Sequence, residues 1–145
     1  MPQSTPPTRA PALRLVLPCD FKEVRKNADL VRAFLAGQGC QPAEVTECDL
    51  ALVEACNNAI EYASAAARNE SVRIEVFCRL EEIELRILDH THGFDLPSQP
   101  RLPEPNCEKG RGLFLIQTLM DHVDYTRSSG GNTLTFRKKR AALLA

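Results

Sequence analysis

Two segments with alternating apolar residues constrain the fold of this chain more strongly than any other feature of its sequence. The apolar positions are Val72, Ile74, Val76, Cys78 and Leu80 in the first segment and Ile83, Leu85 and Ile87 in the second. Glu81 and Glu82 stand between the segments, where a turn is expected. Alternation with a period of two is typical of a β-hairpin that buries one face and leaves the other in water. Other elements must therefore cover the apolar face.

Helices before and after this hairpin are the elements that can cover it. Residues 21 to 36 carry apolar side chains at helical spacing, and glycines follow them where the helix is expected to end. Pro42 predicts the start of a second helix that runs to about Ala66, and a third begins at the Gly-Arg-Gly segment. A strand at residues 13 to 18 and a closing hairpin around the "SSGGN" turn complete the order. The sequence predicts an α/β fold, a two-layer α/β sandwich with a mixed, mostly antiparallel sheet and its helices on one face.

The length and charge of the chain limit the classes of protein to which it can belong. With 145 residues it is long enough for one domain but not comfortably for two. We expect a Pro-rich disordered tail over residues 1–12 and a single domain over residues 13–140. The net charge is −1, with 18 basic and 19 acidic residues scattered along the chain, so no direct contact with nucleic acid is expected.

The apolar and cysteine content predicts the compartment. No run of about 18 apolar residues is present, so we expect no membrane contact. The six cysteines include no Cys-x-x-Cys pair, and several stand in apolar runs where a free thiol packs as a small hydrophobic group. These features predict a cytoplasmic protein with reduced thiols.

The second predicted helix contains an unusual pair of neighbouring asparagines, Asn57 and Asn58. Asparagine is unfavourable inside a helix because its amide competes for backbone hydrogen bonds. At helical spacing the pair shares a polar arc with Glu54 and Glu61, opposite the apolar side. One interpretation is a solvated helix face. The other is functional, because the oxygens of Glu54 and Asn58, one turn apart, suit Mg²⁺ or the proton of a nucleophile.

Two further segments carry groups that suit nucleotide binding. Asp89 stands where the second alternating strand ends, and there a carboxylate can accept a hydrogen bond from a base amino group. Gly110 and Gly112 flank Arg111 just before an apolar helix, where backbone N–H groups and the positive helix end can meet an anion. Lys109 adds a second positive charge, although a loop lysine is often only solvated. A lone Gly-x-Gly is also common at a tightly packed helix start.

Together, in this order, these segments resemble the nucleotide-binding boxes of the GHKL ATPase superfamily, which histidine kinases, gyrase and Hsp90 share. The most similar branch is that of the anti-sigma-factor serine kinases of the RsbW and SpoIIAB type. "VEACNNAIEYA" resembles the asparagine box of that branch and "DHTHGFD" its aspartate-glycine box. "GRGLFLIQTLMDHVDY" is similar to its glycine-rich box and following helix, and "GGNTLTF" to its terminal segment. The resemblance spans about residues 15 to 138.

This resemblance implies a role for each matched residue. Asn58 matches the ligand of Mg²⁺, Glu54 the acid proposed as general base, and Asp89 the aspartate that reads adenine. The remaining residues that it assigns to ATP binding are Gly93, Lys109, Gly110, Arg111, Gly112 and Thr133. The implied cofactors are ATP and Mg²⁺, and the proline-rich segment after Asp89 would be a lid over the nucleotide.

The chain departs from the family pattern at two positions. Thr91 stands where the family has its first glycine, so its Cβ and hydroxyl are expected to crowd the approach to the base. Tyr62 replaces a frequent histidine, at a position expected to lie toward the side of the helix. His90 and His92 begin no metal site, because no third ligand of suitable spacing follows them.

The resemblance implies a serine-protein kinase and anti-sigma factor of a partner-switching system. Such a protein phosphorylates a STAS-domain antagonist with Mg-ATP and alternately binds a sigma factor, as a homodimer formed through the first strand and helix. The alternative is a catalytically weak or inactive module that binds a sigma factor or STAS protein. A histidine kinase is disfavoured, since 145 residues leave no room for a second helical domain with a phospho-acceptor histidine.

Overall fold

The helices and strands follow the order that the sequence predicts. The computed structural model describes residues 12–63, 70–91, 93, 96, 100 and 111–141. The strands are β1 (Ala12–Leu17), β2 (Val72–Cys78), β3 (Glu82–Asp89), β4 (His122–Ser128) and β5 (Gly131–Lys139). The helices are α1 (Val24–Gly37), α2 (Pro42–Glu61) and α3 (Arg111–Leu119), with a short 3-10 turn (Phe21–Glu23) before α1. Helix α2 therefore ends before the predicted Ala66, and residues 1–11 of the predicted tail lie outside the described residues.

The five strands form one antiparallel sheet in the order β1-β2-β3-β5-β4. The β2–β3 hairpin has one apolar face, as its alternation predicts, since Ile74 pairs with Ile87 and Val76 with Leu85. Strands β4 and β5 form the second predicted hairpin, and β5 lies between β3 and β4. The predicted α/β fold with an antiparallel-rich sheet is confirmed.

The core lies between the helices and the apolar face of the sheet. Helix α1 buries residues three and four positions apart, which is the spacing of one helix face: Val24, Ala28, Val31 and Leu35. Cys48 and Cys56 of α2 are in this core, and burial raises the pKa of each thiol to about 12. Such thiols stay protonated and pack as small hydrophobic groups. Within the described ranges, no helix combines the length and apolar character that crossing a bilayer requires.

The opposite face of the sheet carries a charged cluster around Glu84. This residue is only 3% exposed, and it accepts hydrogen bonds from Arg79, Arg86 and Arg137 at 3.1, 2.6 and 3.2 Å. Burial opposes ionisation of the carboxylate, but the hydrogen bonds from Arg86 and Arg137 outweigh it and lower the pKa of Glu84. The guanidinium groups of Arg79 and Arg86 also lie over Phe77, 5.5 and 4.8 Å from the ring centroid. These contacts link charged and aromatic side chains across the middle of the polar face.

Glu84→Gln should lower the free energy of unfolding at pH 7 by about 1–3 kcal/mol, because it removes the charged acceptor of three hydrogen bonds. The folded pKa of Glu84 lies below its ordinary value, so this contribution is fully present above that ordinary value and is lost as the pH falls through the folded pKa. Urea unfolding should therefore show the difference between parent and variant shrinking below about pH 5. Glu81→Gln, in the exposed β2–β3 turn, is the control and should change little. A difference that stays constant down to about pH 3 would contradict this assignment.

Candidate active site

Helix α2 carries a polar arc that lies between the helix layer and the end of the sheet. The helix begins with a capping box, in which the N–H of Gln41 donates to Glu44 Oε1 at 2.8 Å. In its second half Ala55 is buried in the core, whereas Glu54 and Asn58 are only half-buried. Partial burial of both polar side chains does not fit a purely solvated face. The arc instead borders other elements of the fold.

A small cavity connects this arc to the end of β3. Its walls include Asn58 and Tyr62 of α2, Asp89 and Thr91 at the end of β3, and Leu113 of α3. Two residues predicted to bind ATP, Asn58 and Asp89, thus line one space. The cavity measures about 20 Å³, close to the space of a single water molecule. A purine does not fit in a space of this size, so binding one requires the elements that line the cavity to move apart.

The carboxylate of Asp89 is held by a local hydrogen-bond network. Asp89 is 8% exposed, and its Oδ1 accepts from Thr91 N and Thr91 Oγ1, each at 3.0 Å, and from Asn132 Nδ2 at 3.1 Å. Asn132 Nδ2 also donates to the carbonyl oxygen of Thr91 at 2.8 Å. Three donors on one oxygen fix the orientation of the carboxylate. The group can therefore act as a preorganised acceptor at the cavity.

Thr91 supports this network. From the sequence we expected its side chain to crowd the approach to the base. Its hydroxyl is instead directed at Asp89, and it accepts a hydrogen bond from Gly93 N at 3.2 Å. Gly93 has a φ of +86°, and a Cβ there would lie 2.6 Å from Arg127 Nε. The positive φ favours glycine at position 93, and the Arg127 side chain would have to shift to admit a Cβ there.

The threonine predicted to lie near the base is on the other side of the sheet. In the β3–β5 register Asp89 pairs with Asn132, so these two side chains share a face, and Thr133 projects from the opposite one. This corrects the placement of Thr133, because Asn132 is the β5 residue that contacts Asp89. Sequence reasoning missed Asn132. The strand pairing would have identified it, but a register is not visible in one strand alone.

Gly112 brings the start of α3 against the polar arc. A Cβ built on this glycine would lie 2.7 Å from Glu54 Oε2 and 3.3 Å from Asn58 Nδ2. The first turn of α3 therefore packs directly on the carboxylate predicted to act as general base and on the amide predicted to bind the metal. Arg111 is exposed at the first position of α3. Lys109 and Gly110, also predicted to bind ATP, lie outside the described residues.

Two other sequence expectations concern the rim of the site. Tyr62 lines the cavity with Asn58, so it is part of the site, although the sequence interpretation placed it to the side. His90 is exposed, and its Nε2 lies 3.9 Å from Glu70 Oε2. In the part of the chain that the structure describes, no three His, Cys, Asp or Glu side chains form a metal-binding group. His92 is outside that part.

The two ends of this site suit different parts of a nucleotide. At one end, Glu54 and Asn58 supply oxygens beside the N-terminal turn of α3, where backbone N–H groups favour an anion. Carboxylate and amide oxygens are also ligands that Mg²⁺ accepts. At the other end, Asp89 offers a fixed acceptor to an amino group. The fold and this arrangement define the class of α/β sandwiches with a nucleotide-type site between the helices and the end of the sheet.

Comparison with known sequences gives the family. The family described as "Histidine kinase-like ATPase domain" matches residues 17–138, and the chain belongs to this family. It is 31% identical over 132 residues to the serine-protein kinase RsbW of Bacillus licheniformis, covering 77% of this chain and 81% of the relative. It is 28% identical over 115 residues to the anti-sigma F factor of Clostridium perfringens, covering 75% and 82%. These matches confirm the resemblance inferred from the four boxes.

Solved structures share the fold. The RsbU and RsbW domains of a protein from Mycobacterium tuberculosis match with a TM-score of 0.68 and 17% identity. That match covers 91% of this chain and 33% of the longer protein. The SiaB-SiaC complex from Pseudomonas aeruginosa matches with a TM-score of 0.63 and 13% identity, covering 91% and 92%. At these identities the structures support the architecture and not a particular activity.

Gly112→Ala should separate the role of close packing at this site from that of general stability. The added Cβ forces the carboxylate of Glu54 and the amide of Asn58 to move, since it would lie 2.7 and 3.3 Å from them. Affinity for Mg-ATP, measured by calorimetry, should fall about tenfold or more, equivalent to about 1.4 kcal/mol. Thermal unfolding should change little, because alanine favours a helix and the side-chain ends can shift.

Gly37→Ala is the matched control, because that glycine is also helical and a Cβ there meets nothing within 4 Å. It should leave Mg-ATP affinity unchanged. Equal affinity in Gly112→Ala and the parent would show that the contact of α3 with Glu54 and Asn58 does not shape the ligand site.

Proposed function

We propose that this protein is a serine-protein kinase and anti-sigma factor of a partner-switching system, which phosphorylates a STAS-domain antagonist with Mg-ATP. The observation that carries the proposal is the meeting of Glu54, Asn58 and Gly112, with Asp89 on the same cavity. The names of the relatives, serine-protein kinase and anti-sigma factor, support this activity among the many that an ATPase fold can host.

Each end of the site has a role in binding Mg-ATP. The carboxylate of Asp89 accepts a hydrogen bond from the amino group of adenine. Asn58 would hold Mg²⁺ through its amide oxygen, and the metal would supply charge neutralisation at the phosphates. The N-terminal turn of α3, with Gly112 and Arg111, faces the phosphates. Gly93, Lys109 and Gly110 belong to the same proposed site by family position.

Glu54 acts on the serine that receives the phosphoryl group. The serine oxygen attacks the γ-phosphorus, the bond to the β,γ-bridging oxygen breaks, and ADP leaves with the electron pair of that bond. Glu54 orients the serine hydroxyl and accepts its proton. Phosphoryl transfer depends mainly on positioning and charge stabilisation, so one carboxylate beside an anion-binding helix start is sufficient machinery.

The partners follow from the same proposal. A STAS-domain antagonist presents the serine, and a sigma factor is bound alternately, as the anti-sigma name of a relative suggests. A homodimer would form through β1 and α1, in a cytoplasmic protein. Among the described strands β1 pairs with β2 alone and so forms an edge of the sheet, and Val16 on it is 64% exposed. Unpaired edge backbone and an exposed apolar side chain are features that a dimer interface covers.

A second candidate function is a partner-binding module with weak or absent catalysis. The observation that favours it is the cavity of about 20 Å³, which is too small for a purine. The two functions differ in one measurable outcome, which is the appearance of phosphate on a partner serine.

Glu54→Gln should abolish phosphoryl transfer while leaving nucleotide binding in place. The change keeps the shape of the side chain and removes the group that accepts the serine proton, and general-base contributions are about 10² to 10⁴ in rate. Transfer is measured with labelled ATP and STAS proteins from the same genome, and binding by calorimetry. Glu61→Gln, exposed at the end of the same helix, is the control and should retain transfer. If the parent binds a STAS protein but transfers no phosphate to it, the binding module is the correct function.

Asn58→Ala should weaken the Mg-dependent part of ATP binding, because it removes the amide oxygen proposed to hold the metal. The matched control is Asn57→Ala, the neighbouring half-buried asparagine, which does not line the cavity. Calorimetry with ATP in the presence and absence of Mg²⁺ should show a loss of the metal-dependent affinity only in Asn58→Ala. Equal losses in the two variants would remove the assignment to Asn58.

A further inference from the structure

We infer that Thr91 and Asn132 are positioning residues that give this site its preference for adenine over guanine by occupying one oxygen of Asp89. The inference deepens the proposed function and rests on it, since it concerns the base of the proposed nucleotide. Neither residue was assigned this role from the sequence, where Thr91 was an obstruction and Asn132 was not considered.

The two oxygens of Asp89 have different surroundings. All hydrogen bonds to this carboxylate from the described residues end on Oδ1, which receives three donors from Thr91 and Asn132. Three donors hold Oδ1 in place, so this oxygen reaches a ligand only if these hydrogen bonds are lost, at a cost that falls with each donor removed. Asp89 lines the cavity, and no donor among the described residues bonds its Oδ2, so we assign Oδ2 as the oxygen that meets a base.

One available oxygen discriminates between the two purines. Adenine presents a single exocyclic amino group, whose hydrogen bond a single oxygen satisfies. Guanine presents a carbonyl oxygen at the equivalent position, and its ring N–H and amino group lie side by side, so a carboxylate binds them well only with both oxygens. A carboxylate that rotates freely can read either base. A carboxylate whose Oδ1 is occupied cannot make the paired contact with guanine. Either the ring N–H or the amino group of guanine is then left buried without a partner, which is costly.

The backbone holds this arrangement in place. Asn132 lies opposite Asp89 because of the β3–β5 register. Gly131, the residue before it, has a φ of +133°, and a Cβ built on it would lie only 2.9 Å from the carbonyl oxygen of Asp89. On the other side, Asn132 donates to the carbonyl of Thr91, and Thr91 Oγ1 accepts from Gly93 N. The carboxylate is therefore fixed from the strand and from the loop together.

The test compares affinities for Mg-ATP and Mg-GTP by calorimetry in the parent and in Thr91→Val, Thr91→Ser and Asn132→Ala. Valine keeps the shape of threonine without its hydroxyl, whereas serine keeps the hydroxyl. We expect the ratio of GTP to ATP dissociation constants to fall about tenfold in Thr91→Val and Asn132→Ala, and to be retained in Thr91→Ser. Thr135→Val is the control, because residue 135 lies on the face of β5 opposite Asn132.

The ratio of GTP to ATP dissociation constants distinguishes a positioning role of Thr91 and Asn132 from a purely structural one. Equal weakening of both nucleotides, or an unchanged ratio in both variants, would overturn the inference while leaving the proposed kinase function standing. Absence of nucleotide binding in the parent would overturn both. If Asn132→Ala does not fold, as judged by circular dichroism, the comparison of Thr91→Val with Thr91→Ser decides the outcome alone.

Discussion

The pairing of Asp89 with Asn132 across β3 and β5 is the interaction on which the candidate site depends. This pairing follows from the register of the central strands, which also decides which side chains face the helices. A slip of one residue would turn Asp89 to the polar face of the sheet and move the apolar positions out of the core. The buried face and the carboxylate are thus specified by the same register, because Ile87 and Leu134 pair two residues further along.

Helix α2 shows how one element serves both the core and the site. Its buried positions hold it against the sheet, and the capping box at Gln41 and Glu44 satisfies backbone groups at its start. A helix anchored in this way tolerates asparagine at positions 57 and 58, where an isolated helix would lose stability. The polar arc is then available to α3, whose Gly112 approaches it more closely than a residue with a side chain could.

Much of this arrangement could be predicted from the sequence, for reasons that differ between residues. The hairpins and helices follow from periodicity, and Asn58 stood out because asparagine is unfavourable inside a helix. The partner of Asp89 on β5 was missed because it depends on the register of the folded sheet, which no local pattern encodes. The bond from the Thr91 hydroxyl to Asp89 is different, since the two residues are only two positions apart and Asp-x-Thr is a local turn pattern. The place of Tyr62 in the cavity wall was not foreseen, because a helical wheel does not show which neighbouring element closes a cavity.

A crystal structure of the protein with Mg²⁺ and a non-hydrolysable ATP analogue tests the central claim most directly. The account predicts the purine amino group within hydrogen-bond distance of Asp89 Oδ2, with Thr91 and Asn132 still on Oδ1. It also predicts the metal beside Asn58 and the start of α3 displaced from α2 to admit the base. A nucleotide bound elsewhere on the chain, or a base that contacts Asp89 through Oδ1 after Asn132 has moved away, would contradict it.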